Sequence, residues 1–170
     1  MSVAFLMAVL LAQAPAGAGS QPMDDRLPRL ATSIEVRSDL GKRFRFVEAR
    51  VVLDGLELTN RVAANGQELE HKFRAYDGAV TPGAHTVTVT LEYEGRNAGI
   101  FTYLDNYRFR VESTAEFTVH ESSRPATILV LAYERPGVDV PLEKKPMMEI
   151  KAAPGSPVTA ATKIPALSGR

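Results

Sequence analysis

Histidine is the side chain best suited to proton transfer and metal binding near neutral pH, and this chain has three of them. His71 and His85 are each in phase with apolar neighbours along a predicted strand, and His120 lies at a predicted strand end. A facing pair on adjacent strands could bind a metal ion, but a third ligand has no obvious source. We therefore predict half-buried histidines with hydrogen-bonded rings, and a chain that binds no metal ion and no cofactor.

Sequence motifs for nucleophilic catalysis are missing. The chain has no cysteine, which excludes thiolate catalysis, disulfides and cysteine-based zinc sites. It contains no G-x-S-x-G elbow, no H-E-x-x-H helix and no glycine-rich loop opening a helix. The acidic pair Asp24 and Asp25 lies in a polar linker, where no pocket would prepare a general acid. We predict that the protein is not an enzyme and has no catalytic residue.

Aromatic residues cluster along residues 100–112, which alternate as a strand. Rings on one face could stack against a sugar while nearby polar side chains form hydrogen bonds, so this cluster is a candidate carbohydrate-binding site. The residues that would contact the glycan are Tyr103, Asp105, Asn106, Tyr107 and Arg108. The alternative is sandwich core, which the regular alternation favours, with only residues 104–106 exposed as a bulge or bend. The aromatic residues concerned are Phe101, Tyr103, Tyr107 and Phe109.

These candidate residues must be positioned by strands. The clearest strand pattern in the sequence lies in residues 77–94. This stretch opens with two breaker pairs, Asp77-Gly78 and Pro82-Gly83, and the second has the pattern of a type II turn. Apolar residues then alternate with threonine and glutamate, which predicts a strand with one face on a core and one in water. The predicted inward residues are His85, Val87, Val89, Leu91 and Tyr93.

The same alternation recurs along the chain and predicts seven or eight strands. Residues 43–54 change phase by one residue after Phe46, as at a β-bulge or where a strand passes between sheets, and Asp54-Gly55 then makes a turn. Residues 127–133 are apolar on both faces and predict a central strand. Edge strands are predicted within residues 56–66 and 141–151, and further strands at 34–36, 69–76 and 115–119.

No window of the mature chain has the period of an amphipathic helix. The predicted fold is therefore all-β, an antiparallel immunoglobulin-like β-sandwich of seven or eight strands. The chain has 170 residues, 20 of them basic and 20 acidic, which predicts one domain and gives no electrostatic reason to bind nucleic acid.

The two ends of the chain differ in composition from its middle. Residues 3–12 form an apolar run too short to span a bilayer, and Ala16-Gly17-Ala18 fits a cleavage site. We predict a signal peptide at 1–19, a linker at 20–31, the β-sandwich domain at 32–151 and a disordered Pro/Ala-rich tail at 152–170. The expected location is the periplasm or the extracellular space, with no membrane span after signal cleavage.

The turn motifs resemble those of a known group of modules. The pattern Y-D-G-x-V-x-P-G-x-H-x-V-x-V over residues 76–89 is similar to PEGA-type and related immunoglobulin-like modules of bacterial envelope proteins, in which a Pro-Gly-x-His turn starts a strand. With Val52-Leu53-Asp54-Gly55 before it and the aromatic motif after it, the chain resembles small exported proteins of myxobacteria-like proteobacteria. The resemblance spans residues 34–133 and implies a fold, with no active site.

A second likeness concerns residues 71–78 and is one we reject. They partly resemble the His-x-x-x-Asp-Gly motif of dihydrolipoamide acyltransferases, whose linkers the Pro/Ala tail also resembles. The spacing is two residues too long, and the chain lacks an Asp-Lys-Ala lipoyl hairpin. We predict instead a non-catalytic structural or protein-interaction module whose partner is another envelope protein. The alternative function is a carbohydrate-binding module that uses the aromatic residues.

Overall fold

A computed structural model describes residues 29–96, 107–120 and 125–153, together with the backbone of residues 158–163 and 168–169. The strands are β1 (Leu30–Asp39), β2 (Phe44–Leu53), β3 (Leu56–Val62), β4 (Lys72–Val80), β5 (Gly83–Gly95), β6 (Arg108–Val119), β7 (Ala126–Glu134), β8 (Pro146–Ala152), β9 (Val158–Lys163) and β10 (Ser168–Gly169). A 3₁₀ turn, Leu142–Lys144, precedes β8. Within the described residues, no helix has the length and apolar character needed to cross a membrane.

The strands form two sheets that share one core. The first sheet has four strands in the order β4-β1-β7-β8. The second has six, in the order β10-β6-β5-β2-β3, with β9 paired to a further stretch of β6. Alternate residues of both sheets pack into a single buried cluster, as expected when each sheet has one apolar face. The predicted all-β sandwich is therefore confirmed.

Strand β2 carries the predicted β-bulge. Phe46 lies opposite Tyr93 of β5 whereas Glu48 lies opposite Glu92, so Val47 is the extra residue. Phe46 and Val47 are both buried, and the inward phase then passes to Ala49. The change of phase seen in the sequence is thus a bulge within one sheet, and the alternative of a strand passing between sheets is wrong.

Aromatic rings fill the centre of the sandwich. Phe46 stacks on Tyr93 with ring centroids 5.1 Å apart, and on Phe73 of the opposite sheet at 6.4 Å. The Tyr93 hydroxyl lies 3.1 Å from the Ser38 hydroxyl, and both side chains are buried. Burial raises the pKa of Tyr93, so the phenol stays protonated. The two hydroxyls of this pair satisfy each other inside a mostly apolar core.

One pairing is parallel, which the antiparallel prediction did not include. β1 runs antiparallel to β4 but parallel to β7, with Thr32 opposite Ala126 and Asp39 opposite Tyr133. β7 therefore lies between β1 and β8, and the prediction of a central strand there is confirmed. Parallel strands can be far apart in sequence, so the local alternation of residues does not show how they pair.

The breaker pairs before β5 behave differently from each other. Asp77-Gly78 was predicted as a turn, but both residues lie inside β4. A Cβ at Gly78 would lie 2.4 Å from the Tyr76 hydroxyl oxygen, so the glycine gives room to the tyrosine ring and does not reverse the chain. Pro82 makes a bend and Gly83 has a φ of +133°, and this bend takes the chain from one sheet to the other.

One further prediction about the second half of the chain needs correction. Residues 108–119 form one continuous strand, β6, where we predicted a break near residue 113. Within residues 152–170, for which we predicted a disordered tail, the described backbone of β9 and β10 pairs antiparallel with β6. The first strand begins at Leu30, inside the predicted linker, while the predicted signal peptide lies outside the described residues.

Candidate functional site

Three strands of the six-stranded sheet bring charged side chains together on its outer face. The pairing of β2 with β5 and of β5 with β6 sets Arg45, Glu94 and Arg108 side by side. Each follows a residue that packs toward the core, so alternation places all three on the opposite face. The connection between β3 and β4 passes beside them and bounds a cavity of about 140 Å³, here called the charged pocket. Its lining includes Arg45, Glu48, Asn65, Gln67, Glu94 and Arg108.

Backbone hydrogen bonds hold this connection in place. The Ala63 N–H donates to the Val47 carbonyl at 2.8 Å, and the Gln67 N–H donates to the Ala64 carbonyl at 2.9 Å. The Asn65-Gly66 turn lies between them, with Gly66 at a φ of +79° that favours glycine. The bulge at Val47 therefore also provides an acceptor that anchors one wall of the charged pocket.

The charges in the pocket are matched. The Glu94 carboxylate contacts the guanidinium of Arg45 and lies 3.1 Å from that of Arg108, which is also 3.4 Å from Glu92. The Nε of Arg45 is buried and has no hydrogen-bond partner among the described residues. The lining of the charged pocket contains no hydroxyl or thiol side chain.

The structure separates the predicted glycan-contact residues. Arg108 lines the charged pocket on the outer face. Tyr107 packs toward the core, with its ring centroid 4.7 Å from that of the buried Phe109. Tyr103, Asp105 and Asn106 lie outside the described residues, as does Phe101. Of the five predicted contacts, the two that are described therefore do not form one surface.

The three histidines lie in three different surroundings. His71 is half exposed, with Nδ1 3.3 Å from the Ser38 carbonyl oxygen, and it precedes β4 of the first sheet. His85 lies in β5 of the second sheet and His120 is exposed at the end of β6. His71 and His85 therefore do not face each other on adjacent strands, as a shared metal ion would require. In the described part of the chain, no group of three His, Asp or Glu side chains is placed to hold a metal.

His85 joins the two sequence motifs that carry the PEGA-like resemblance. Its Nδ1 lies 2.7 Å from the Asp54 carboxylate and its Nε2 lies 2.8 Å from the Thr81 carbonyl oxygen. Asp54 also accepts the Thr86 N–H at 2.8 Å, while its own φ of +51° makes the turn with Gly55. Because both ring nitrogens face acceptors, this arrangement favours the imidazolium form of His85, in which both nitrogens donate. We call this arrangement the Asp54–His85 clamp.

We expect the clamp to make the fold less stable at alkaline pH than at mildly acidic pH. Burial lowers the pKa of His85, but the bonds to Asp54 and Thr81 and the charge of Asp54 outweigh it, so the pKa is raised above its ordinary value of 6.5. A group whose pKa is raised in the folded state adds to the free energy of unfolding. This stabilisation is fully present below pH 6.5 and is lost as pH rises through the folded-state pKa of His85. Urea unfolding between about pH 5 and about pH 9 measures this loss.

Glutamine variants provide the matched control for the clamp. His85→Gln removes the cation, so it should lower the free energy of unfolding by about 1.5–3 kcal/mol at mildly acidic pH and flatten its pH dependence. His71→Gln changes a half-exposed ring and should leave that dependence intact. An unchanged pH dependence in His85→Gln would show that the imidazolium is not the group responsible.

Reasoning from the sequence found one residue of the charged pocket, Arg108, and missed Arg45 and Glu94. The missed signal is the alternation of charged residues on the outward positions of β2, β5 and β6, which becomes a cluster only through strand register. Comparison of the chain with protein-family models, with curated proteins and with solved structures finds no match.

Proposed function

We propose that this chain is a non-catalytic β-sandwich of the cell envelope that binds another protein by accepting an extended segment along β3. The observation that carries the proposal is the outer side of this strand, here called the β3 edge (Leu56–Val62). β3 pairs with β2 on one side, and no strand among the described residues pairs with its other side. An edge of this kind presents unpaired backbone donors and acceptors to an incoming strand.

The β3 edge also offers apolar contacts. Three large hydrophobic side chains are exposed among the described residues, and two of them, Leu56 and Val62, lie at the two ends of β3 and are each 67 % exposed. An added strand would cover both while its backbone pairs with β3. Apolar anchors at the two ends of a hydrogen-bonding edge favour a peptide strand as the partner.

The charges of β3 leave the edge unguarded. Natural edge strands are often protected by charged side chains that oppose pairing. Here Glu57 lies 2.5 Å from Arg50 on the outer face of the sheet. The guanidinium of Arg61 lies over the Phe73 ring, 4.3 Å from its centroid. Both charges are engaged within the chain, which supports an edge that accepts a partner.

The engagement of the titratable groups supports a non-catalytic role. The closest Asp–His pair, Asp54 and His85, has the distance of a proton-transfer couple. However, the second ring nitrogen of His85 is held by the Thr81 carbonyl, so the ring has no free position for a substrate. The envelope location rests on the signal peptide predicted at residues 1–19.

The glycan-binding alternative remains a prediction that no described contact favours. It required the ring of Tyr107 to face a ligand, and that ring instead packs on Phe109. The ring of Tyr103 lies outside the described residues.

Crosslinking in the native envelope followed by mass spectrometry tests the proposal. Val62→Lys places a charge on the β3 edge and should reduce the crosslinked partner about tenfold, which corresponds to the loss of about 1.4 kcal/mol of binding energy. Val138→Lys is the matched control, because Val138 is 97 % exposed in the connection between β7 and β8. Equal loss in both variants, or no loss in Val62→Lys, would contradict binding at the β3 edge.

A further inference from the structure

The C-terminal segment covers the edge of the second sheet opposite β3. β9 pairs antiparallel with Thr114–Val119 of β6, and β10 pairs with Phe109 and Arg110. Eight of the twelve residues of β6 are therefore paired on this side, two with β10 and six with β9. The chain thus already uses strand addition on itself, at an edge that would otherwise be open.

β6 would be a strong acceptor without this segment. It is twelve residues long, and its inward side chains Phe109, Val111, Ala115, Phe117 and Val119 are buried in the core. A long apolar edge with a free row of backbone groups pairs readily with another strand. β9 and β10 therefore protect the β6 edge from pairing with other strands, and they do so through backbone hydrogen bonds.

The sequence of β9 makes this pairing transferable between molecules. Val-Thr-Ala-Ala-Thr-Lys has mostly small side chains, and its register with β6 can be reproduced by the same segment of another copy.

We propose that the outer side of β6 is a strand-acceptor site and that its second occupant is the Val158–Lys163 segment of another copy of this chain, giving a strand-exchanged dimer. The hydrogen bonds of the exchanged and unexchanged pairings are the same, so protein concentration decides between them. This site lies at the opposite end of the sheet from β3, and the inference does not depend on the function proposed above.

The absence of native cysteine allows a direct test in the full chain. Glu116 and Ala161 lie opposite each other in the β6–β9 register. Glu116→Cys and Ala161→Cys are made as separate variants and mixed under oxidised glutathione, so that a 116–161 disulfide can form only between two molecules. We expect this mixed disulfide, identified by mass spectrometry, to increase with protein concentration and to accompany a dimer in size-exclusion chromatography.

A mixture of Glu112→Cys with Ala161→Cys controls for random collision. Glu112 is exposed like Glu116 but lies in the stretch of β6 that neither β9 nor β10 covers. The register pair should give about tenfold more mixed disulfide than this control. If the two mixtures give equal amounts while the double variant Glu116→Cys/Ala161→Cys closes its disulfide within one chain, the segment stays with its own β6 and exchange is refuted.

Discussion

Replacing Phe46 by alanine is expected to lower the free energy of unfolding by about 3–5 kcal/mol. Phe46 is fully buried and stacks on both Tyr93 of its own sheet and Phe73 of the opposite sheet, so it links the two sheets. Its removal leaves a cavity that neighbours on hydrogen-bonded sheets can fill only in part. Urea unfolding followed by circular dichroism gives the difference.

Two other variants define the scale of this measurement. Phe46→Leu keeps most of the apolar volume and should cost clearly less than the alanine variant. Val138→Ala truncates a side chain that is 97 % exposed and should change the free energy of unfolding by less than about 0.5 kcal/mol. A loss below about 1 kcal/mol for Phe46→Ala would mean that the aromatic stack does not hold the sheets together.

Deleting one residue of β2 should have opposite outcomes at two neighbouring positions. Without Val47, the bulge disappears and Phe46, Glu48 and Ala49 keep their present faces, so we expect a folded protein that is less stable by about 1–3 kcal/mol. Without Ala49, the pairing that preserves the most core residues turns Glu48 inward, into a site that is fully buried now. Burying an unpaired carboxylate costs several kcal/mol, so this variant should not fold.

Near-ultraviolet circular dichroism and urea unfolding of both deletion variants decide this point, since the two proteins have the same length and differ only in whether Val47 or Ala49 is missing. Lost side-chain volume cannot explain the expected difference, because the deletion expected to prevent folding removes alanine, which has a smaller side chain than valine. A folded Ala49 deletion, or an unfolded Val47 deletion, would show that the bulge does not set the register of β2.

Local patterns predicted the parts of this fold that local chemistry determines. Alternation identified the inward residues of β5, a phase change located the bulge at Val47, and Asp54-Gly55 makes the expected tight turn. The parallel partner of β1 could not be predicted in the same way, because nothing near residue 32 refers to residue 126. The turn predicted at Asp77-Gly78 is wrong because glycine is required both in tight turns and where a side chain lies close to the backbone. At Gly78 the second reason applies.

The candidate sites show the same limit. Arg108 was identified from its neighbourhood in the sequence, whereas Arg45 and Glu94 join it only through the register of three strands. His85 was predicted to be half buried with a satisfied ring, and its bonds to Asp54 and Thr81 confirm this. Alternation could not show that two turn motifs about thirty residues apart meet at that ring. Hydrogen bonds between the two motifs bring them together.

The parallel pairing of β1 with β7 has a consequence for how quickly the molecule forms. The Ser33 and Thr127 hydroxyls are 3.1 Å apart in space and 94 residues apart along the chain. Closing so long a loop costs entropy before the contact repays it, and chains rich in such distant pairings fold on the order of milliseconds to seconds. β1 can pair with β4 as soon as both have been synthesised, but the side of β1 that faces β7 has no partner until the seventh of the described strands has been made.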